Sequence, residues 1–314
     1  MNTIPIIRVD DIEHLLSWTG VCDAIRSGHQ LVRADIDDIL IRKGKRALLN
    51  RAAWISGLGI GTKTATIFPG NAALTTPIPS VQAVFTLFDE QSGTPVAIID
   101  GDMLTKWKTA ADSVLGAHLL ARPDSKALLI IGAGVVARSL VEAYSAIFPG
   151  LEQILIWNRT YSHAKALASS MNNDLISVRC VEDLALHVRR ADIVATATLS
   201  TDPVLKGEWV SPGTHVDLIG SYRPDMREAD DQLLQGSELF ADSRETTIAH
   251  TGELIIPIQR GVISEQDIRA DLYDLCNGAD GRTSDESITV FKNGGGAHLD
   301  LMTANYIFNT YQAR

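Results

Sequence analysis

Cysteine is scarce. The three present, Cys22, Cys180 and Cys276, stand far apart in a chain of 314 residues. An odd, scattered set excludes a disulfide framework and fits a reducing, cytoplasmic compartment. Long apolar runs are missing too: no stretch reaches the ~18 residues that would suggest a membrane span. The segment from Met1 to Asp11 lacks the basic-then-apolar order of a signal peptide. Positive charge is in deficit, with 28 Lys and Arg against 38 Asp and Glu and a formal net charge of −10. That balance repels a phosphate backbone, so no nucleic-acid partner is expected, while a local basic site for a small anion stays open. His, Cys, Asp and Glu nowhere cluster at ligand spacing, so no metal is expected. Internal repeats and low-complexity tracts are absent.

What remains is a chain 45% hydrophobic, long enough for two domains. Val21, Ile25 and Val32 recur at helical spacing. Residues 50–55, 58–68, 80–89 and 95–100 are short apolar runs separated by Gly, Pro and Asn, which predicts an antiparallel meander. A long helix is predicted over residues 102–121, with Trp107, Ala111, Val114, Leu115 and Leu119 as its apolar stripe. After Arg122-Pro123-Asp124-Ser125 the texture changes. Strands over 127–131, 153–157, 193–197 and 215–219 alternate with helices over 135–148 and 160–171, the pattern of a parallel sheet with crossover helices. A strand at 287–292 and a helix at 297–311 close the chain. The expected fold class is α/β: a Rossmann domain over residues 121–292 beside an α+β domain over residues 1–120, which the segment 293–314 rejoins.

The strongest motif is Gly132-Ala133-Gly134-Val135-Val136-Ala137. It follows an apolar strand and opens a helix, the context in which a G-x-G-x-x-A run binds a dinucleotide. Gly132 permits the tight turn, Gly134 lets a pyrophosphate approach the backbone, and Ala137 allows close helix packing. Free N–H groups at the helix start favour the negative charge.

The second strand of the repeat ends in Asn158-Arg159-Thr160. An NAD site usually carries Asp or Glu there for the ribose 2′-hydroxyl. Here the acid is missing and Arg159 can fork onto a 2′-phosphate, with Asn158 and Thr160 adding hydrogen bonds, so the expected cofactor is NADPH, with NADH as the alternative. The competing reading has Thr160 capping the next helix and Arg159 in solvent. Thr196-Ala197-Thr198 and Gly220-Ser221 follow later strands, whose carboxyl ends face the ligand crevice in such folds, and they complete the expected cofactor set.

Several segments together resemble one family. They are Lys108-Thr109-Ala110-Ala111-Asp112-Ser113, Gly132-Ala133-Gly134, Trp157-Asn158-Arg159-Thr160, Gly207-Glu208-Trp209-Val210, the run from Gly220 to Glu228, and the run from Phe291 to His298. The chain is similar, over nearly its whole length, to the ornithine cyclodeaminase/mu-crystallin family. The resemblance implies a homodimer whose N-terminal domain, with the C-terminal helix, forms the subunit interface and the substrate site. Where cyclodeaminases carry a catalytic Asp, this sequence has Tyr222, and a phenol is a poor general base near neutrality. The Ser-Tyr-Arg-Pro-Asp-Met-Arg-Glu segment instead resembles the Δ1-pyrroline-2-carboxylate and ketimine reductases of the family.

That resemblance implies a cyclic imino acid as substrate, Δ1-pyrroline-2-carboxylate or the six-membered Δ1-piperideine-2-carboxylate. It implies Arg51 and Lys108 on the carboxylate, and Lys63 over the imine or the carboxylate. Lys108 departs from the usual family Arg and loses the bidentate fork. From the residues alone, Lys63 lies inside an apolar strand run, where a lysine is costly unless partnered. Lys63 is the first candidate proton relay. His298 and Asp300, assigned to the C-terminal glycine loop, are the next. An ornithine cyclodeaminase, an alanine dehydrogenase-type enzyme and a non-catalytic, crystallin-like NADPH binder remain alternatives.

Overall fold

A computed structural model describes residues 3–172 and 176–314. The chain divides into two compact units, Met1–Lys108 with Gly296–Arg314, and Thr109–Gly295. The chain begins with β1 (Ile6–Ile7), α1 (Trp18–His29), β2 (Asp35–Lys43), β3 (Arg46–Ile55), β4 (Gly59–Ile67), β5 (Val81–Phe88), β6 (Pro95–Asp100) and α2 (Gly101–Leu120). There follow β7 (Ala127–Ile131), α3 (Val135–Ile147), β8 (Gln153–Trp157), α4 (Tyr161–Met171), β9 (Ser177–Cys180), β10 (Ile193–Thr196) and β11 (His215–Leu218). The last elements used below are β12 (Glu238–Ala241), α5 (Gly252–Gln259), β13 (Ile268–Asp271), β14 (Thr289–Lys292) and α6 (Ala297–Gln312).

The first unit is built on a six-stranded sheet in the order β1-β6-β5-β4-β3-β2. From β2 to β6 every pairing is antiparallel, as the alternating runs predict. Strand β2 extends the meander beyond the predicted segments. Its sequence, Asp-Ile-Asp-Asp-Ile-Leu-Ile-Arg-Lys, breaks the alternation, because an edge strand exposed along most of its length needs no buried face. In β4 the alternation is strict: Gly59, Gly61, Lys63 and Ala65 are buried, and the residues between them are half-buried. A Cβ on Gly61 would come within 2.2 Å of the Phe85 ring, so the core here is closed tightly over the sheet.

The second unit carries an eight-stranded sheet, order β13-β12-β14-β11-β10-β7-β8-β9. All of its pairings are parallel. Both faces are covered, so the central strands read as continuous apolar runs; β7 is buried at every position. Leu129, Ile131, Val194, Val216, Leu218, Leu239 and Val290 belong to one core cluster, and burying each such side chain contributes about 1.5–3 kcal/mol. This is the Rossmann-type α/β architecture that the alternation predicts. The short strands β9, β12 and β13 lie outside the predicted segments.

The division between units differs from the expected position at residue 120. It falls inside α2, between Lys108 and Thr109, and residues 293–295 belong with the second unit. The composition change at Arg122 marks the end of the helix and not the change of packing partners. Within the second unit, Ser113 on the later half of α2 donates to Asp217 of β11 at 3.1 Å, and Asn293 donates back to Ser113 at 2.9 Å. Among the described residues, no helix is long and apolar enough to cross a membrane.

Candidate active site

In the second unit the residues expected to hold a dinucleotide lie at the carboxyl ends of β7, β8, β10 and β11. Gly132 sits at φ +129°, a conformation that favours glycine. A Cβ there would lie 2.4 Å from the carbonyl oxygen of Ala197, so Ala197 is the wall against which the turn closes. Gly134 is the N-cap of α3 and supplies no side-chain cap. A Cβ on Gly134 would meet nothing within 4 Å, which leaves the helix start open to an approaching anion. Val135 stands 78% exposed at the first helical position, and Ala133 and Val136 are half-buried beside it. These residues fit a pyrophosphate: open backbone donors, no side chain in the way and a helix dipole behind them.

At the end of β8, Asn158 donates through Nδ2 to the Thr160 carbonyl at 2.9 Å and shapes the turn. Thr160 occupies the N-cap of α4, but its hydroxyl makes no cap bond. Arg159 is exposed and forms no ion pair among the described residues.

Later strands hold a different arrangement from the expected one. Glu228, fully buried, accepts four hydrogen bonds: Thr196 Oγ1 at 2.8 Å, Thr198 N at 2.7 Å, Thr198 Oγ1 at 2.8 Å and Gly220 N at 2.6 Å. Ser221 Oγ donates to the equally buried Glu253 of α5 at 3.0 Å, and Glu253 also receives the backbone N–H groups of Glu228 and Ala229. The hydroxyls of Thr196 and Ser221 are therefore committed to buried carboxylates and do not line a crevice. Their work is to tie the ends of β10 and β11 together. Sequence alone assigns neither Glu228 nor Glu253 a role, because an isolated acid in a loop or at a helix start looks like a solvated charge. Burial, then the neighbouring Glu228, raise the Glu253 carboxyl above its usual range.

In the first unit, Asp38, Arg51 and Lys63 stand in register across β2, β3 and β4 and share one sheet face. Arg51 Nε donates to Asp38 Oδ2 at 2.9 Å, a bond that leaves its two terminal nitrogens free to fork onto a carboxylate. Lys63, 9% exposed, donates to Asp300 Oδ1 at 3.1 Å and to Thr105 Oγ1 at 2.6 Å. The partner that a buried lysine requires is thus Asp300. Lys108 is buried as well. Burial alone would raise the Asp300 carboxyl, but Lys63, Lys108 and Arg51 outweigh it and hold it below the ordinary carboxylate range.

His298 and Asp300 do not lie in the glycine loop; they occupy the first turn of α6, which begins at Ala297. His298 is completely enclosed and meets the His29 ring edge-on at 5.4 Å. Burial, then the charges of His29, Lys108 and Arg51, push its imidazole well below the usual histidine range. The enclosed ring is therefore held in its uncharged form near pH 7. Lys63, Lys108 and Arg51 are the cations that bear on Asp300.

A family model for the ornithine cyclodeaminase/mu-crystallin family matches residues 49–314. The chain belongs to that family. It is 51% identical over 293 residues to the Δ1-pyrroline-2-carboxylate reductase of Paracoccus denitrificans, covering 93% of this chain and 92% of that one. Among solved structures it resembles the Thermococcus litoralis Δ1-pyrroline-2-carboxylate reductase in complex with NADH and L-proline, with a TM-score of 0.91, 30% identity and coverage of 98% and 97%. It also resembles an archaeal alanine dehydrogenase dimer with bound NAD, with a TM-score of 0.90, 28% identity and coverage of 99% and 96%.

Tyr222 lies in the loop after β11. The ring is 58% exposed, with the Arg223 guanidinium 5.6 Å from its centroid. Arg223 is in turn engaged by Asp225 at 2.8 Å. Among the described residues, no group of three or more His, Cys, Asp or Glu side chains could hold a metal ion.

Proposed function

We propose that this family member reduces Δ1-pyrroline-2-carboxylate to L-proline with NADPH, and that the six-membered Δ1-piperideine-2-carboxylate is a second substrate. The observation that carries the reading is the grouping of Arg51, Lys63 and Lys108 around one carboxylate, Asp300, in a largely buried site. Cations gathered at one largely buried site suit an anionic substrate. The free edge of Arg51 and the Lys108 ammonium suit a planar carboxylate. An N–H of Lys63 suits the imine nitrogen beside it. The names of the relatives point to the same substrate class.

A reduced nicotinamide, when bound, supplies a hydride. The chain orients the imine, holds its carboxylate and provides the proton, which passes from Lys63 Nζ to the ring nitrogen and leaves C2 electrophilic. Asp300 faces the ammonium throughout and steadies it before the transfer. Arg159 and the missing acid after β8 support NADPH over NADH, although the two solved neighbours hold NADH and NAD. A homodimer formed through the first unit belongs to the same reading. Ile39, Leu40 and Ile41 on the edge strand β2 are exposed together, an apolar edge of the kind that pairs with a partner.

The test is NADPH oxidation by the purified chain with Δ1-pyrroline-2-carboxylate, with NADH run in parallel. Rapid oxidation favouring NADPH is the expected result. No oxidation with either nucleotide overturns the reading and directs the assay to ornithine, then to pyruvate with ammonia.

A further inference from the structure

The hydrogen bonds around Lys63 have a direction. Thr105 lies one turn into α2, and its hydroxyl donates its only proton to the Gly101 carbonyl at 2.7 Å. It can therefore only accept from Lys63, whose Nζ lies 2.6 Å away. A second Lys63 proton goes to Asp300. An ammonium has three donors, and the third has no partner among the described residues. Two anchors on different elements, α2 and α6, fix the rotation of the ammonium and so the direction of that third N–H. The start of α2 is brought close enough for this by Gly101, where a Cβ would lie 2.5 Å from the backbone of Ala83 on β5.

We infer that Thr105 is a positioning residue: with Asp300 it locks the Lys63 ammonium so that a single N–H is offered to the substrate. The inference rests on the reductase reading for its consequence, but the orientation itself is a property of the chain. A lysine held this way addresses one lone pair, as an imine nitrogen presents, instead of spreading its donors over a carboxylate. The fork for the carboxylate is left to Arg51.

The experiment compares the full chain with Thr105→Val, which keeps the shape and removes the acceptor, and Thr105→Ser, which keeps the hydroxyl. One readout is steady-state reduction of Δ1-pyrroline-2-carboxylate by NADPH. The other is the Lys63 ammonium signal in 15N-lysine-labelled protein, assigned by its disappearance in Lys63→Met. The expected result for Thr105→Val is a kcat lowered about 10–100-fold, with KM changed far less, NADPH affinity unchanged and a Tm lowered by no more than the loss of its two hydrogen bonds. The slowly exchanging Lys63 signal is lost in this variant. Thr105→Ser restores both kcat and signal. Thr105→Ala gives the same comparison if the valine variant does not fold. Wild-type kcat and an intact signal in Thr105→Val overturn the inference while leaving the reductase reading standing. A wild-type chain that reduces no cyclic imine, but loses the Lys63 signal in Thr105→Val and regains it in Thr105→Ser, overturns the reductase reading and upholds the positioning.

Discussion

Arg51 on β3 and Lys63 on β4 are direct cross-strand partners, two positive charges side by side on one face of one sheet. Like charges placed this way oppose strand pairing, and each is offset by its own carboxylate, Asp38 for Arg51 and Asp300 for Lys63. The arrangement costs the sheet little and keeps two cations ready for an anion. Arg51→Gln is therefore expected to raise KM for the imino acid by about 10–100-fold, the worth of one charge-assisted contact of about 1.5–3 kcal/mol. The Tm should hold or rise, because the like-charge contact is relieved. Steady-state kinetics and a melting curve check both halves, and an unchanged KM removes Arg51 from the substrate site.

Arg159 follows the strand end at which an NAD site usually carries an acid and this sequence does not. Arg159→Glu is expected to reverse the nucleotide preference by tenfold or more, since a carboxylate repels a 2′-phosphate and accepts from a ribose hydroxyl. The ratio of kcat/KM for NADPH and NADH measures it. An unchanged ratio would mean that the 2′-phosphate is read elsewhere.

Glu228 gathers four donors from the ends of β10 and β11. Glu228→Ala strands those donors in a buried site, and the expected cost is about 3–5 kcal/mol of stability, as when one partner of a buried charged network is removed. Dinucleotide affinity should fall with it, because Ala197, which backs Gly132, lies between Thr196 and Thr198. Glu228→Gln keeps two acceptor lone pairs and should lose less on both counts. Denaturant unfolding and NADPH titration of the two variants provide the check; equal stability of the alanine variant and wild type contradicts the role.

Asp217 of β11 is buried beneath the cradle, between Ser113 and Tyr144. Burial raises its carboxyl from 3.8 to about 7, against the opposing pull of those two hydroxyls and of Lys292. The folded value lies above the unfolded one, so the folded chain holds a proton that the unfolded chain releases between about pH 4 and pH 7. That contribution to stability is complete below the unfolded value and lost as the pH rises through about 7. Wild-type Tm should therefore fall across this interval by more than that of Asp217→Asn, which cannot titrate. About 1 kcal/mol corresponds to roughly 2–4 °C for a domain of this size, so the difference is within reach of calorimetry. Parallel curves for the two proteins would show that Asp217 is already ionised in this range.

The central strands of the second unit and the glycine turn after β7 were legible because both are local. An apolar strand, a Gly-x-Gly turn and an amphipathic helix follow one another within 21 residues of chain, from Ala127 to Ile147. Lys63 was legible as an anomaly: a charge in an apolar run predicts a partner. The identity of that partner was not, since Asp300 lies 237 positions away. Strand β2 was hidden because an exposed edge carries no period, and with it Asp38, whose meaning depends on register. The bonds of the Thr196 and Ser221 hydroxyls to Glu228 and Glu253 were hidden too, because their partners lie 32 positions away in each case.

By itself the sequence determined the α/β class, the position of the dinucleotide turn, the missing acid at its second strand and the family resemblance. All of these depend on residues close together in the chain or on the order of short segments. Tertiary structure alone decided which charges meet: Asp38 with Arg51, Lys63 with Thr105 and Asp300, Glu228 with the strand ends, and His298 enclosed and neutral. Coulomb energy and hydrogen bonding depend on separations of a few ångströms and on exclusion of water, and those are set only when distant segments pack.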